Sequence, residues 1–103
     1  MSLVYELAEF TIPVGSETAF EEAMLVAREV IGRTPGLVSI EYWRGVETPN
    51  VYTLLLKWSS MDAHLVEWRN SPHYAEWSAL VTPFIEGTPR DAHFIPCGEP
   101  YGG

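Results

Sequence analysis

The chain has 103 residues, 47% of them hydrophobic and 13% aromatic, with 14 Asp and Glu against six Lys and Arg, for a formal net charge of −8. That balance excludes a nucleic-acid or anionic-membrane surface, which needs clustered basic residues, and the apolar share excludes a disordered chain. One domain with a modest core is expected at this length, and no apolar run approaches the 18 residues of a membrane span.

Leu3 to Ile12 alternates as a strand: Val4, Ala8, Phe10 and Ile12 fall on one face, and Leu3, Tyr5 and Leu7 on the other. Both faces read as buried. Glu6 shares the face of Ala8 and Phe10, so it is either an inward carboxylate or an edge residue at a contact between copies. After Pro13, Gly15 and Ser16 open a helix with Glu17, Glu21 and Glu22 early and Arg28 and Arg33 late, which suits the helix dipole. Phe20, Met24, Ala27 and Ile31 form its apolar stripe, and Arg33-Thr34-Pro35-Gly36 stops it. The acidic cluster is a solvated face with no assigned function.

Leu37 to Glu47 and Val51 to Trp58 read as two strands joined by the turn Thr48-Pro49-Asn50. In the second, Tyr52, Leu54, Leu56 and Trp58 share one face, and Val51, Thr53, Leu55 and Lys57 the other, so both need cover. A short helix from about Met61 to Arg69 follows, with Leu65 and Trp68 on one stripe and His64 a turn before Trp68. Ser71 and Pro72 start another helix, which Pro83 kinks or ends and Gly87-Thr88-Pro89 closes. Asp91 to Ile95 reads as the last strand. The segment from Cys97 to Gly103 is expected to be a flexible tail, leaving residues 1–96 as the single domain. One cysteine permits no internal disulfide framework, and with no basic-then-apolar leader the expected location is cytoplasmic.

The order strand, helix, strand, strand, helix, strand is the ferredoxin-like βαββαβ arrangement, an α+β fold with one antiparallel sheet and helices on one face. The other face, carrying Val51 and Leu55, would be a bare apolar patch in a monomer, so a homodimer with sheets packed face to face is expected.

The string PGLVSIEYWRGVETPNVYTLLLKWSSMDAHLVEWRNSPHYAEW, Pro35 to Trp77, resembles the antibiotic biosynthesis monooxygenase family of dimeric α+β-barrel proteins. The likeness covers nearly the whole chain in order and spacing: the Pro-Gly before the second strand, the hairpin, a strand ending Trp-Ser-Ser, the short helix, then Asn-Ser-Pro-His-Tyr. In members that oxidise polyaromatic phenols it implies a cofactor-free route, in which the substrate is deprotonated and its anion reacts with molecular oxygen. Such chemistry needs a dry apolar pocket, a general base and donors aimed at the developing oxyanion.

Residue by residue, Trp58 matches the tryptophan that ends the third strand of those oxygenases. Their asparagine four residues earlier falls on Leu54 and their tyrosine six residues later on His64. The resemblance thus implies that Trp58, Trp68 and Tyr42 shape a substrate pocket with Leu54, His73 and Tyr74, that His64 takes the proton, and that Arg44 steadies the anion. Arg44 has the alternative of pairing with a neighbouring carboxylate. For the haem-degrading branch, Trp68 matches, but the axial histidine falls on Ser78 and the first-strand asparagine on Ala8, which disfavours haem.

His64, His73 and His93 with Glu67, Glu76 and Asp91 could imitate a metal site, but no HxxxH motif on one helix supports it, and no metal or cofactor is expected. The expected activity is a cofactor-independent monooxygenase acting with molecular oxygen on a small phenolic, quinol or other electron-rich aromatic. The contrasting expectation is a non-catalytic dimer that binds a small hydrophobic metabolite.

Overall fold

The computed structural model describes residues 3–102. Strands β1 (Val4–Thr11), β2 (Leu37–Arg44), β3 (Val51–Trp58) and β4 (Glu86–Phe94) form one antiparallel sheet in the order β2-β3-β1-β4. Helices α1 (Glu17–Gly32) and α2 (Pro72–Val81), a π-helical segment Ala63–Trp68 and a 3-10 turn Thr82–Phe84 complete the ferredoxin-like βαββαβ order.

Alternation in β1 and β3 puts Val4, Glu6, Ala8 and Phe10 beside Tyr52, Leu54, Leu56 and Trp58 on the face beneath the helices. Phe20, Met24, Ala27, Val30 and Ile31 of α1 close over them. Fully burying side chains such as Phe20, Met24 and Ile31 contributes roughly 1.5–3 kcal/mol each. At the start of α1, Ser16 makes no side-chain cap; the Glu17 carboxylate instead accepts the Gly15 N–H at 2.9 Å.

The opposite face of the sheet is only half covered. Tyr5 and Leu7 are half-buried rather than buried, Leu55 lies across from Leu7, and Trp43 and Phe94 on the flanking strands are exposed.

Three local expectations need correction. The short helix is wound as a π-helix, whose wider turn turns Ala63, His64 and Trp68 all inward. The second strand ends at Arg44, because the Gly45 N–H closes a tight turn on the Val51 carbonyl at 2.8 Å. The last strand begins at Glu86, and the helix has already ended around Pro83, so Gly87-Thr88-Pro89 is not the helix stop. These three residues stand opposite the single residue Phe10, between the pairs Glu9–Arg90 and Thr11–Glu86, as a bulge on the edge strand. An edge position tolerates Pro89, which has no N–H for the ladder, and Gly87 takes the required positive φ of 67°.

Candidate functional site

Between the sheet and α2 lies a cavity of about 210 Å³. Its apolar walls come from Phe10, Leu54 and Leu56 of the sheet, Trp68 of the π-helical segment, and Tyr74 and Trp77 of α2. Three of these rings brace each other: Trp68 meets Tyr74 edge-on at 5.4 Å and Trp77 at 6.0 Å between centroids. The Trp77 indole N–H is buried with no hydrogen-bond partner among the described residues.

One end of this cavity is polar, lined by Glu6, His64, Arg69 and Asp91. Strand register explains the grouping. Because β4 pairs with β1, His93 stands directly across from Glu6 and Asp91 across from Ala8, both on the helix-covered face. The π-helical segment then lowers His64 onto them. Nδ1 of His64 lies 2.7 Å from Nε2 of His93, and Nε2 of His64 lies 3.4 Å from Oε1 of Glu6.

Trp58 stands behind this group rather than on the cavity wall. Its indole stacks on the His64 ring at 5.0 Å and 20°, and its Nε1–H donates to Oε1 of Glu6 at 2.8 Å. Both Glu6 and His64 are almost fully enclosed, at 6% and 3% exposure.

Burial disfavours the charged forms of both groups, and it dominates each. The Glu6 carboxyl is pushed up to about 8, first by burial and then by the hydrogen bond and charge of Asp91, against the opposing Trp58 N–H and Arg69 charge. The His64 imidazole is pushed down to about 4, first by burial and then by the neighbouring His93. Both shifts favour the uncharged forms, a protonated Glu6 and a neutral His64 imidazole. Groups whose environments drive them apart in this way divide naturally into an acid and a base.

Of the residues singled out from the sequence, His64, Leu54, Trp68 and Tyr74 come together on the cavity. Tyr42 packs at the margin of the core and His73 is half-buried at the start of α2, neither on the cavity wall. Arg44 is also absent from that wall: its guanidinium donates to Glu21 at 3.3 Å, and Glu21 also accepts the Tyr52 hydroxyl at 2.5 Å. The acidic residue thought to be merely solvated is therefore a tie between helix and sheet. It helps hold the Tyr52 phenol up at about 12, after burial.

The arginine that does face the cavity is Arg69. Glu67 and Glu76 are exposed and stand outside the cluster, whereas Asp91 is in it. Asp91 and His93, two apart on β4, share the face on which Glu6 stands.

Comparison with known proteins bears on this fold. Residues 3–80 match the family described as antibiotic biosynthesis monooxygenase. YczJ of Bacillus subtilis, itself uncharacterised, is 32% identical over 92 residues, spanning 89% of this chain and 97% of YczJ. A crystal structure from Bordetella bronchiseptica that carries the family's name is 30% identical, covers 91% of this chain and 96% of its own, and superposes with a TM-score of 0.86. SnoaB of Streptomyces nogalater, a cofactor-independent oxygenase, shares the fold at 18% identity, with 98% and 97% coverage and a TM-score of 0.74. On the match across residues 3–80 and the extended identity to YczJ, the chain belongs to the antibiotic biosynthesis monooxygenase family.

Proposed function

We propose that this protein is a homodimeric monooxygenase that oxygenates a small phenolic, quinol or other electron-rich aromatic with molecular oxygen and without a resident cofactor. The observation that carries the reading is a buried His64 at the polar end of an otherwise aromatic and aliphatic cavity. The volume of about 210 Å³ favours a single ring over a fused polyaromatic system, and is too small for a porphyrin.

In this reading the ring lies between Leu54, Leu56 and the Trp68-Tyr74-Trp77 wall, with its hydroxyl toward His64. His64 takes the hydroxyl proton and the electron-rich anion reacts with oxygen. Glu6, still protonated at neutral pH, and Arg69 face the oxygen atom where negative charge develops. For a quinol the balance closes without an outside reductant. One oxygen atom stays on the ring carbon, the other leaves as water, and the substrate supplies all the electrons as it becomes a hydroxyquinone.

A homodimer is supported by the half-covered sheet face, where Tyr5, Leu7, Leu55 and Phe94 border a shallow apolar hollow of about 270 Å³. Contiguous apolar surface of this kind is typical of an interface.

The test is oxygen uptake with a panel of hydroquinones and anthrones, comparing wild type with His64→Ala. Losing a positioned base is expected to slow turnover about 10²–10⁴-fold. Lack of any protein-dependent uptake across the panel ends this reading.

A further inference from the structure

The polar end of the cavity has a second chemistry that the monooxygenase reading does not use. Four lone-pair donors from three separate elements converge there: Glu6 on β1, His64 on the π-helical segment, and Asp91 and His93 on β4. One ligand atom from each lies within 4.8 Å of every other. We propose that Glu6, His64, Asp91 and His93 bind one divalent transition-metal ion of the zinc or cobalt type.

The donor set is the first argument. Two imidazoles with two carboxylates is a borderline nitrogen and oxygen set, which suits zinc, cobalt or nickel better than calcium or magnesium, whose sites are built from oxygen. Geometry is the second. Ligand atoms about 2.0–2.1 Å from a tetrahedral ion stand about 3.3 Å from one another. The four candidate ligand atoms, one per residue, lie within 4.8 Å of one another, so they have to draw in by at most about 1.5 Å; His64 can offer an ion only one ring nitrogen, Nε2 at 3.4 Å from Glu6 Oε1 or Nδ1 at 2.7 Å from His93 Nε2.

Orientation is the third argument. Trp58 fixes the Glu6 carboxylate through its Nε1–H at 2.8 Å and fixes the His64 ring by stacking, which is the supporting layer that metal ligands require. Finally, the site is enclosed on one side and open on the other. Glu6 and His64 are buried while Asp91 is exposed, so an ion has a path in and room for an exchangeable ligand on the cavity side. Arg69 is the cation that faces the same cavity, and its charge is offset by the two carboxylates.

This site goes beyond the monooxygenase reading and stands independently of it. An ion on His64 occupies a lone pair needed to accept a substrate proton, so the ion-loaded and base-competent forms are alternatives.

The experiment is a titration of chelator-stripped protein with Co²⁺, followed by visible absorption and by calorimetry. One ion per chain is expected, with the d–d bands of a four- or five-coordinate site and a Kd of about 10 µM or tighter. His93→Ala and Asp91→Asn are each expected to weaken binding at least about 10-fold. Cys97→Ser, which changes the exposed thiol, leaves it unchanged. Circular dichroism identifies a variant that fails to fold. The exposed position of Asp91 makes Asp91→Asn the variant that keeps its fold should His93→Ala not. Binding weaker than about 1 mM, binding abolished by Cys97→Ser, or binding untouched by Asp91→Asn overturns the site. Absence of oxygen uptake in the ion-free protein speaks to the monooxygenase reading alone.

Discussion

Gly36, at the entry to β2, sits against the π-helical segment that carries His64, and replacing it with alanine tests how tightly that segment is held. Gly36 has φ of +95°, and an added Cβ would come 2.6 Å from the Ala63 Cβ and 3.3 Å from the Ser59 Oγ. Carbon atoms in good contact stand about 3.5–4.0 Å apart, so about 1 Å must be recovered. The obstructing atom belongs to a short side chain fixed to backbone, and only a shift of the segment itself can recover it.

The positive φ costs a residue with a Cβ about 1–2 kcal/mol, and overpacking adds about 1–3 kcal/mol. Gly15 is the internal control, because its φ is also +95° but nothing lies within 4 Å of its Cβ position. Gly15→Ala should therefore lose only the conformational part. Urea unfolding followed by tryptophan fluorescence should show Gly36→Ala less stable than Gly15→Ala by about 1–3 kcal/mol. Near-ultraviolet circular dichroism should also change in Gly36→Ala alone, since Ala63 precedes His64, whose ring stacks on Trp58. Equal losses in the two variants, with unchanged aromatic signals, would refute the reasoning.

Glu6→Gln, in chelator-treated protein, should remove one component of the dependence of stability on pH. A carboxyl raised from 4.5 to about 8 on folding contributes stability that is complete below about 4.5 and is lost as pH rises toward 8. The unfolding free energy of wild type relative to Glu6→Gln, which keeps an acceptor for Trp58, should thus fall from pH 5 to pH 8 by at most about 1.4 kcal/mol per pH unit, while His64, lowered from 6.5 to about 4, raises the stability of both proteins between pH 4 and 6.5; parallel pH slopes in denaturant titrations would contradict it. Tyr52→Phe removes the hydroxyl that Glu21 accepts and should cost about 1.5–3 kcal/mol at pH 7. Because that phenol is raised from 10 to about 12, the wild-type advantage should persist below pH 10 and shrink as pH climbs toward 12, which thermal unfolding across that range would reveal. Leu55→Lys puts a charge in the middle of the open sheet face, and sedimentation should show a dimer of 11.6 kDa chains dissociating at micromolar concentration, whereas a wild type already monomeric there would remove the case for pairing.

Short-range pattern was enough to reveal the βαββαβ order and which residues of β1 and β3 face the helices, because period-2 alternation and helical spacing are properties of a few adjacent residues. Even the inward direction of Glu6 was contained in that alternation as one of two options. Local pattern misread Gly87-Thr88-Pro89, since a bulge and a helix stop use the same residue types, and only pairing to β1 distinguishes them. It equally left Arg44 a choice between substrate and carboxylate, a choice that the approach of α1 to β3 made through Glu21.

The site itself was decided by tertiary structure. Glu6 and His93 come from opposite ends of the chain and meet because the sheet order sets β4 against β1, while His64 reaches them because its segment winds as a π-helix over that edge. The altered proton affinities of Glu6 and His64 then follow from shared burial, which no residue possesses by itself: removal of water and mutual proximity exist only once the strands have paired and the helices have closed over them.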